Sequence, residues 1–313
     1  MLKNMSTSQA RVIDPILSNH AQGYTNMGLI GSKLFPLVTV PARGAQILKF
    51  GKESFRRFNA RRAPGANTLR VQYGYASDPI SVVQDALEAV VPWEIMQEAE
   101  KVPGVDLAKG SIEMVLDSIG LNLEYEQAQL AKDAANYGGN NKITLTSTDK
   151  WSDDASDPKA DVQTGKEAIR LMTGRYPNTL CLGADVFNRL CVHPKVTDHF
   201  KYTSADSVTK EMLARYLEVD EVIVGQAVSL GEDAADDDAA EDIWAGTALL
   251  AWVSRGQNYR TPSYGYTYAL PGMPFVEEPY NERNAKSWIY PVTHERKAYI
   301  TGADAGFLFV TPL

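Results

Sequence analysis

Residues 45–75 read AQILKFGKESFRRFNARRAPGANTLRVQYGY, and this stretch decides the fold. Both halves are strand-like, and the returning half has residues of high strand propensity at strict period two: Leu69, Val71, Tyr73 and Tyr75. Turn signals lie between the halves: Pro64, Gly65 and Asn67. The stretch predicts a hairpin, and about twelve residues of strand at ~3.3 Å each would place its tip ~40 Å from its root.

The tip of this predicted hairpin is basic, with four arginines close together: Arg56, Arg57, Arg61 and Arg62. A hairpin of this length cannot bury its own inner face, so two interpretations remain open. One is an ordinary surface hairpin with a solvated basic tip. The other, which we favour, is a limb that grips a neighbouring subunit.

The segment before the hairpin, residues 1–36, mixes polar residues with scattered apolar ones and shows neither a helical nor a strand period. This pattern predicts an arm without regular structure. Apolar residues left in water forgo roughly 25 cal/mol per Å² of burial, so the arm needs a surface to lie on. A neighbouring subunit is one source of that surface.

A strand and two helices are predicted after the hairpin. An apolar strand over 86–91 leads to Pro92, which suits the first position of a helix over 93–101. The clearest helix follows, with apolar residues at spacings of three and four: Val105, Ala108, Ile112, Val115, Ile119 and Leu123. We expect this helix to reach about residue 135 and to end at Gly138-Gly139, a rod ~45 Å long.

The next part of the chain alternates helix and strand. Helices are predicted over 161–173, 185–192 and 208–217, and strands over 179–182 and 222–224. Gly174 is expected to end the first of these helices in the left-handed conformation, and Pro194 to stop the second. The acidic run EDAADDDAAED at 232–242 is expected to be a solvated loop.

The C-terminal part is rich in Tyr, Pro, Trp and β-branched residues and predicts mainly strands. A buried strand or pair of strands is expected over 243–253, and further strands over 287–292, 298–300 and 307–310. The chain is therefore expected to end in antiparallel sheet.

Composition excludes several classes of protein. The chain has 313 residues, 44% of them hydrophobic and 22% charged, which is typical of a folded globular protein. The longest apolar run, 248–253, is far shorter than the ~20 residues of a membrane-spanning helix. A net charge of −8 opposes phosphate binding as the main role, although aromatic residues lie among the arginines of the hairpin. With two cysteines and no apolar signal core near its N-terminus, the chain is expected in a reducing cytoplasm.

The sequence offers little for catalysis. It contains no Walker phosphate loop, no GxGxxG and no GxSxG, and Ser147 with Lys150 matches only the spacing of SxxK. Four metal-ligating residue types lie within nine positions: Cys191, His193, Asp198 and His199. Their spacing matches no common zinc motif, and Cys191 is better explained as a small residue on the apolar face of a helix. We predict no enzyme, no cofactor and no metal site.

The order of these segments resembles the major capsid proteins of tailed bacteriophages. The similarity is carried by IDPILSNHAQGYTNMGLIGSKLFPLVTVP, GKESFRRFNARRAPGANTLRVQYGY and ALEAVVPWEIMQEAEKVPGVDLAKGSIEMVLDSIGLNLEYEQAQLA. It continues through TGKEAIRLMTGRYPNTLCLGADVFNRLCVHPKV and EVDEVIVGQAV, so it covers nearly the whole chain. These phrases are not catalytic signatures, and their specificity comes from their order and extent.

The resemblance implies the α+β tailed-phage capsid fold. Its parts would be an N-terminal arm (1–36), an extended β-hairpin loop (37–79), a peripheral domain with a long spine helix (80–157) and an inserted α/β axial domain (158–270). Antiparallel strands at 271–313 would complete the peripheral domain. In such shells the extended loop lies over a neighbouring subunit. The implied contact residues of this loop are Lys49, Lys52, Arg56, Arg57, Arg61, Arg62 and Arg70, and candidate partners are Glu98, Glu100 and Asp106.

The implied function is a structural subunit of the icosahedral head that encloses the genome of a tailed phage. Its main partners would be copies of itself in pentamers and hexamers, with double-stranded DNA contacted only weakly and no membrane. Because no helical scaffolding segment precedes the arm, a separate scaffolding protein is expected, together with a portal and a decoration protein. Three alternatives remain open at this point: an encapsulin-type protein compartment, a nonviral oligomeric binding protein, and an enzyme.

Overall fold

A computed structural model describes residues 13–26, 28–49, 61, 70, 76–99, 106–201, 208–231, 233–235, 237–256, 261 and 263–313. The helices of the described part are α1 (Pro15–Gly23), α2 (Gly31–Leu34), α3 (Trp93–Ala99), α4 (Leu107–Lys132), α5 (Pro158–Thr173), α6 (Ala184–Val192), α7 (Pro194–Phe200) and α8 (Lys210–Leu217). The first strands are β1 (Leu37–Thr39), β2 (Gly44–Lys49), β3 (Ala76–Ser81), β4 (Val83–Pro92), β5 (Lys142–Thr144), β6 (Thr179–Gly183), β7 (Glu221–Gly225) and β8 (Val228–Ser229). The later strands are β9 (Glu241–Asp242), β10 (Ala248–Ala251), β11 (Gly265–Ala269), β12 (Phe275–Val276), β13 (Tyr280–Glu282), β14 (Ser287–Ile300) and β15 (Gly306–Val310).

The long helix predicted from the three-and-four spacing is α4, which has 26 residues. Asp106 caps its N-terminus by accepting a hydrogen bond from the Lys109 amide at 3.2 Å. The helix ends at Lys132, earlier than the glycines at 138 and 139 predicted. Asp133 has an extended backbone and accepts from the Ala135 amide at 2.8 Å, which begins a separate short turn. The aspartate therefore ends the helix before the glycines are reached.

A six-stranded sheet is built around β14, which runs unbroken for 14 residues although the sequence predicted two strands with a gap between them. β4 pairs antiparallel with β14 from Pro92 to Val83 along one side. On the other side β13, β12 and β11 follow one another, and β1 adds in parallel to β11. Helix α4 packs across one face of this sheet, where Ile112, Val115 and Ile119 are buried.

A second sheet has the order β5-β15-β10-β6-β7 and contains both parallel and antiparallel pairs. Its faces are covered by apolar clusters, one of which includes buried residues of α5, α6 and α8. The C-terminal strand β15 belongs to this sheet, so the segment 271–313 is divided between the two sheets. The expected antiparallel ending is only partly correct, because β15 is antiparallel to β10 and parallel to β5.

One prediction about local structure is wrong and another is incomplete. The arm is not irregular, because Pro15 begins α1 and the Asp14 carboxylate accepts from the amides of Ile16 and Leu17 at 2.8 and 3.0 Å. Helix α6 ends before Pro194 as predicted, but Pro194 also occupies the first turn of α7, with His193 as its N-cap. In both places a proline that ends one segment also suits the start of a helix.

The other predicted elements of the α/β block are present. Strand β6 and helix α6 lie within one residue of their predicted bounds, and α5 ends at Gly174 with a φ of 71°. Helix α5 begins at Pro158, three residues before the predicted start, because Asp157 caps it. Within the described part of the chain, no helix combines the length and apolar character needed to cross a bilayer.

Candidate inter-subunit surfaces

The base of the predicted hairpin is a separate two-stranded sheet. β2 and β3 pair antiparallel from Gly44 opposite Ser81 to Lys49 opposite Ala76. Only Val82 separates β3 from β4, so the outgoing and returning legs join the six-stranded sheet through β1 and β4. The hairpin is therefore attached to two different strands of the main sheet.

Polar contacts fix this root to β14. Arg43 donates two hydrogen bonds, from Nε to Glu295 Oε2 and from a terminal nitrogen to Oε1, both at 2.6 Å. The Glu295 side chain is 5% exposed and the Arg43 side chain 66% exposed. The hydrogen bonds from Arg43 lower the pKa of Glu295. On the other leg, the Tyr299 hydroxyl donates to the Ser81 carbonyl at 2.9 Å and accepts from the Ser81 amide at 3.2 Å.

Apolar packing supports the same root. Ile80 and Val82 of the returning leg are buried in one cluster with side chains from β1, from the residue that follows β1, and from β11: Val38, Val40, Tyr266 and Tyr268. The Val82 amide donates to the Arg43 carbonyl at 2.9 Å, which joins the two legs. The root is thus part of the folded body.

Most of the predicted contact residues lie beyond this root. Lys49 is the last residue of β2, and its backbone pairs with Ala76. Arg61 and Arg70 are exposed. Outside the described residues lie Lys52, Arg56, Arg57 and Arg62. The structure therefore describes the backbone of Lys49, the first residue of this basic set. The role of the set in contacts between subunits stays a prediction.

The three carboxylates predicted as partners differ in their surroundings. Glu98 is exposed on α3. Asp106 caps α4 and forms an ion pair with Lys109 at 3.0 Å, and the hydrogen bonds from Lys109 lower its pKa. Glu100 lies outside the described residues. Because the Asp106 carboxylate already forms an ion pair with Lys109, it is a poor candidate for pairing with an arginine of a neighbouring subunit.

A different acidic surface lies on the six-stranded sheet, on the face opposite α4. Ala89 and Val91 of β4 pack toward α4, so the alternating residues Glu88 and Val90 point the other way. Tyr280 lies two strands from Val90 and donates to both oxygens of Glu88 at 3.2 Å. Val90 is 56% exposed and Tyr280 47% exposed, so no described element covers this end of the sheet.

We call this surface the acidic sheet face and define it by Glu88, Val90, Glu277, Tyr280 and Glu282. Glu282 is exposed in β13, and the Glu277 amide donates to the Pro291 carbonyl of β14 at 3.0 Å. Burial and the neighbouring carboxylate of Glu88 raise the pKa of Tyr280. The face combines exposed apolar side chains with three carboxylates, a composition that suits a basic, partly apolar partner.

The arm is held to α4 by a buried carboxylate, Glu124. Its Oε1 accepts from the Ile30 amide at 3.0 Å and from Trp244 Nε1 at 2.6 Å, and its Oε2 accepts from the Gly31 amide at 2.8 Å. Burial raises the pKa of Glu124, although these three hydrogen bonds oppose the shift. One side chain thus joins the arm, the long helix and the segment before β10.

Further charged residues lie beneath α4. Arg296 is buried, contacts the Asp85 carboxylate at 3.6 Å and donates to the Ile119 carbonyl. Burial lowers the pKa of the neighbouring His294 to about 3, so this imidazole is neutral near pH 7. These residues stabilise the contact between α4 and the sheet, and they lie on the side of the sheet opposite the acidic sheet face.

The predicted metal-ligand types are not brought together. His193 Nδ1 accepts from the Lys195 amide at 3.2 Å, and its Nε2 lies 3.2 Å from the Ser156 hydroxyl oxygen. The Cys191 thiol donates to the Val208 carbonyl, and the His199 ring packs against Phe200. Among the residues that the structure describes, no group of three His, Cys, Asp or Glu side chains is placed to hold a metal ion.

Sequence reasoning missed both Glu124 and Glu295. Each lies among polar residues, in LEYEQ and THERK, where nothing distinguishes a buried carboxylate from a surface one. A partial signal existed for Glu124, because the arm has apolar residues and a Gly that must lie against something. For Glu295 the sequence contains no such signal.

Comparison with known proteins shows which families and structures this chain is similar to. The sequence model of the family described as Phage major capsid protein E matches residues 132–288. The major capsid protein of Burkholderia phage BcepMu is 36% identical over 306 residues, which cover 96% of this chain and 97% of that protein. A crystal structure of a phage-related protein from Bordetella bronchiseptica RB50 is 44% identical, with a TM-score of 0.83 and coverage of 97% and 98% of the two chains.

More distant structures share the fold. The capsid of cyanophage P-SCSP1u matches with a TM-score of 0.58 at 10% identity, covering 92% of this chain and 89% of that chain. The SrpI encapsulin of Synechococcus elongatus PCC 7942 matches with a TM-score of 0.53 at 12% identity, covering 90% and 86%. The predicted α+β tailed-phage capsid fold is confirmed.

Proposed function

Because this chain belongs to the phage major capsid protein family and is a structural subunit of a capsid shell, we propose that it closes the icosahedral head of a tailed bacteriophage through pentamers and hexamers of itself. The alternative of a nonviral binding protein has no support among its relatives. No catalytic role is part of the proposal, and no cofactor is required.

The observation that carries this proposal is a separation of charge within one chain. Residues 50–75 contain six basic residues and one acidic residue, Glu53, a net charge of +5. The whole chain has −8, which leaves −13 for the rest. A subunit with a cationic predicted hairpin and an acidic sheet face carries both halves of a contact that a second copy can complete.

On this proposal the arginines of the hairpin contact the acidic sheet face of the next subunit. The contact residues of the hairpin are those predicted from the sequence: Lys49, Lys52, Arg56, Arg57, Arg61, Arg62 and Arg70. Glu88, Glu277 and Glu282 are better acceptors than Asp106, which already pairs with Lys109. The predicted partner Glu98 is exposed on the neighbouring α3 and extends the same contact.

The remaining partners are a separate scaffolding protein, a portal and a decoration protein, with assembly in the host cytoplasm. Double-stranded DNA would be contacted only weakly. Three lysines donate to backbone carbonyls within the chain and are thereby engaged inside the subunit: Lys132, Lys142 and Lys150. Together with the net charge of −8, this supports a shell that encloses DNA without binding it tightly.

The first experiment is to size the purified protein by sedimentation and negative-stain microscopy, with and without the proteins encoded beside it. Closed megadalton shells are expected. A 34 kDa monomer or a small oligomer under both conditions would contradict the proposal. The content of the shells separates the two shell functions, because the shared fold also occurs in an encapsulin: nucleic acid supports a phage head, and packaged enzyme supports a protein compartment.

The charge contact has its own test. Arg61→Glu with Arg62→Glu should reduce shell yield at least tenfold, and Glu88→Lys with Glu282→Lys should do the same, because each puts like charges opposite one another. Combining all four substitutions in one chain should recover shells, since every reversed hairpin then meets a reversed face. Asp198→Lys with Asp233→Lys, two exposed acids elsewhere, is the matched control. Normal yield from either reversed variant would remove the proposed contact.

A further inference from the structure

The two legs of the hairpin are fixed to one strand of the body at two separate points. The outgoing leg contacts Glu295 through Arg43, and the returning leg contacts Tyr299 through Ser81. Glu295 and Tyr299 both belong to β14 and are four residues apart, about 13 Å along an extended strand. We call these two contacts the root clamp.

We propose that the root clamp sets the direction in which the hairpin leaves the body and, through it, the curvature of the shell. This inference rests on the proposed function. It assigns to Arg43, Glu295 and Tyr299 a positioning role, since none of them lies in the basic set or in the acidic sheet face.

The two contacts add to the packing of Ile80 and Val82, which holds the root to the body. An ion pair at Arg43 alone would orient only the outgoing leg, whereas a second contact ~13 Å away orients the returning leg as well. The pair at Arg43 is bidentate, which fixes the plane of the guanidinium as well as its distance from Glu295. The Tyr299 hydroxyl bonds both the amide and the carbonyl of Ser81, which fixes the backbone of the returning leg.

The length of the hairpin makes its angle important. At the ~40 Å reach that the sequence predicts for the hairpin, a change of about 10° at the root would move the tip by about 7 Å. That distance exceeds the range of a hydrogen-bonded ion pair, so a small error at the root would misplace the arginines on the neighbouring face. In a closed shell the contact recurs at every subunit, so an error at the root recurs at every contact.

The partners at the root differ in how easily they move. Glu295 is almost fully buried within the sheet, while most of the Arg43 side chain is in water. The clamp therefore has a fixed acceptor on the body and a movable donor on the leg. Substitutions in the donor should change the angle without removing a buried side chain from the core.

The direct test measures the angle in the unassembled subunit. Spin labels at Ala66 in the hairpin segment and at the exposed Met114 on α4 report its distribution, in a Cys191→Ser background that leaves only the buried Cys181. The unsubstituted root should give one narrow distance distribution. Arg43→Lys, which keeps the charge but not the fork, and Glu295→Gln with Tyr299→Phe should each broaden it at least twofold. Unchanged widths would overturn the inference.

The second readout is the shape of the assembled particles. Both root variants should form mis-sized or open shells in most particles, while their thermal midpoints stay within a few degrees of the unsubstituted protein. Lys33→Ala breaks an exposed ion pair of 2.9 Å between the arm and β7 and should give normal shells. Broadened distances with shells of normal diameter would show that the root does not set curvature. If the unsubstituted chain forms no shells, the proposed function fails, and only the distance measurement still tests the clamp.

Discussion

Glu124 and Glu295 hold the arm and the hairpin root of this chain to its body, but through different kinds of donor. Glu124 accepts from two backbone amides of the arm and from an indole, none of which carries a charge. Glu295 accepts from the guanidinium of Arg43 on the hairpin. The pKa of Glu124 is accordingly raised by burial, and the pKa of Glu295 is lowered by its cation.

This difference indicates how far the arm and the hairpin root can each move relative to the body. Backbone amides cannot move away from Glu124 without unfolding the arm around Ile30 and Gly31, so the arm is part of the core. The Arg43 side chain is mostly in water, so its two hydrogen bonds to Glu295 hold the leg while they last but can break without unfolding the root. A carboxylate held by neutral backbone donors thus marks a fixed joint, and one held by an exposed cation marks a joint that is set by an ion pair and released when the pair breaks, which we call an adjustable joint.

The largest expected effect breaks the fixed joint by steric overlap. A Cβ at Gly31 would overlap the Oε1 atom of Gln127 and lie 2.7 Å from Glu124 Oε2. Gln127 is buried and donates to Thr267, so it cannot easily move aside. We expect Gly31→Ala to lower the free energy of unfolding by about 3 kcal/mol, measured by urea titration.

Gly110→Ala is the matched control for this substitution. Its Cβ would meet nothing within 4 Å, and alanine favours a helix more than glycine does by roughly 1 kcal/mol. The control should therefore be neutral or stabilising. Equal effects of the two substitutions would contradict the fixed joint.

A smaller effect is expected when the acceptor itself is changed. Glu124→Gln keeps the shape but directs an amide group at one of three donors, so a buried donor loses its acceptor. We expect a loss of about 2 kcal/mol in the free energy of unfolding near pH 7. Glu126→Gln, two residues away with its carboxylate in an exposed ion pair with Lys297, should change it by less than about 0.5 kcal/mol. A similar cost at both positions would show that Glu124 is not specially placed.

Tyr299→Phe tests the adjustable joint. It removes one hydroxyl that donates to the Ser81 carbonyl and accepts from the Ser81 amide, and both Ser81 groups can turn to water because Ser81 is exposed. The expected loss is about 1 kcal/mol or less in the free energy of unfolding, followed by chemical denaturation. A loss as large as that of Gly31→Ala would place the hairpin root among the fixed joints.

The smallest expected effect is the dependence of the free energy of unfolding on pH. It separates the two joints most clearly, because its sign should differ between Glu124 and Glu295. Because the pKa of Glu295 is lowered in the folded state, this side chain contributes stability at pH values above the ordinary glutamate pKa. The contribution is lost as pH falls through the folded-state pKa. Because the pKa of Glu124 is raised in the folded state, its contribution to stability is greatest at pH values below the ordinary glutamate pKa. That contribution is lost as pH rises through the folded-state pKa.

These signs can be compared directly in matched variants. Between pH 4 and pH 7, the cost of Glu295→Gln should increase with pH, and the cost of Glu124→Gln should decrease. Urea titrations of the three proteins at several pH values provide the measurement. Slopes of the same sign would disprove the contrast between the two joints.

Much of the fold could be predicted from residue spacing and from the resemblance. The three-and-four spacing of α4 and the left-handed Gly174 that ends α5 act locally, so the sequence shows them directly. The predicted apolar face of α4 continues from Ile119 to Leu123, but Leu123 is only half-buried. Beyond Ile119 the burial moves to Glu124, Gln127 and Ala128, because the arm and Trp244 pack on that half of the helix.

The candidate surfaces were predicted less completely, because they depend on residues far apart in the chain. Glu295 lies 252 positions from Arg43, and Tyr280 lies 192 positions from Glu88. No local pattern records such pairs. The role of the basic hairpin residues stays a prediction. The carboxylates proposed as their partners lie together on the acidic sheet face only because of the strand register, which the sequence does not show.

The near-continuity of β3 and β4 has a mechanical consequence. Only Val82 separates the returning leg from a strand that pairs with β14 over ten positions. Tension applied to the hairpin by a neighbour would pass into β4 along the strand direction, while its hydrogen bonds to β14 lie across that direction. The ladder is therefore loaded in shear, with all of its bonds sharing the force, and it cannot be peeled apart one bond at a time.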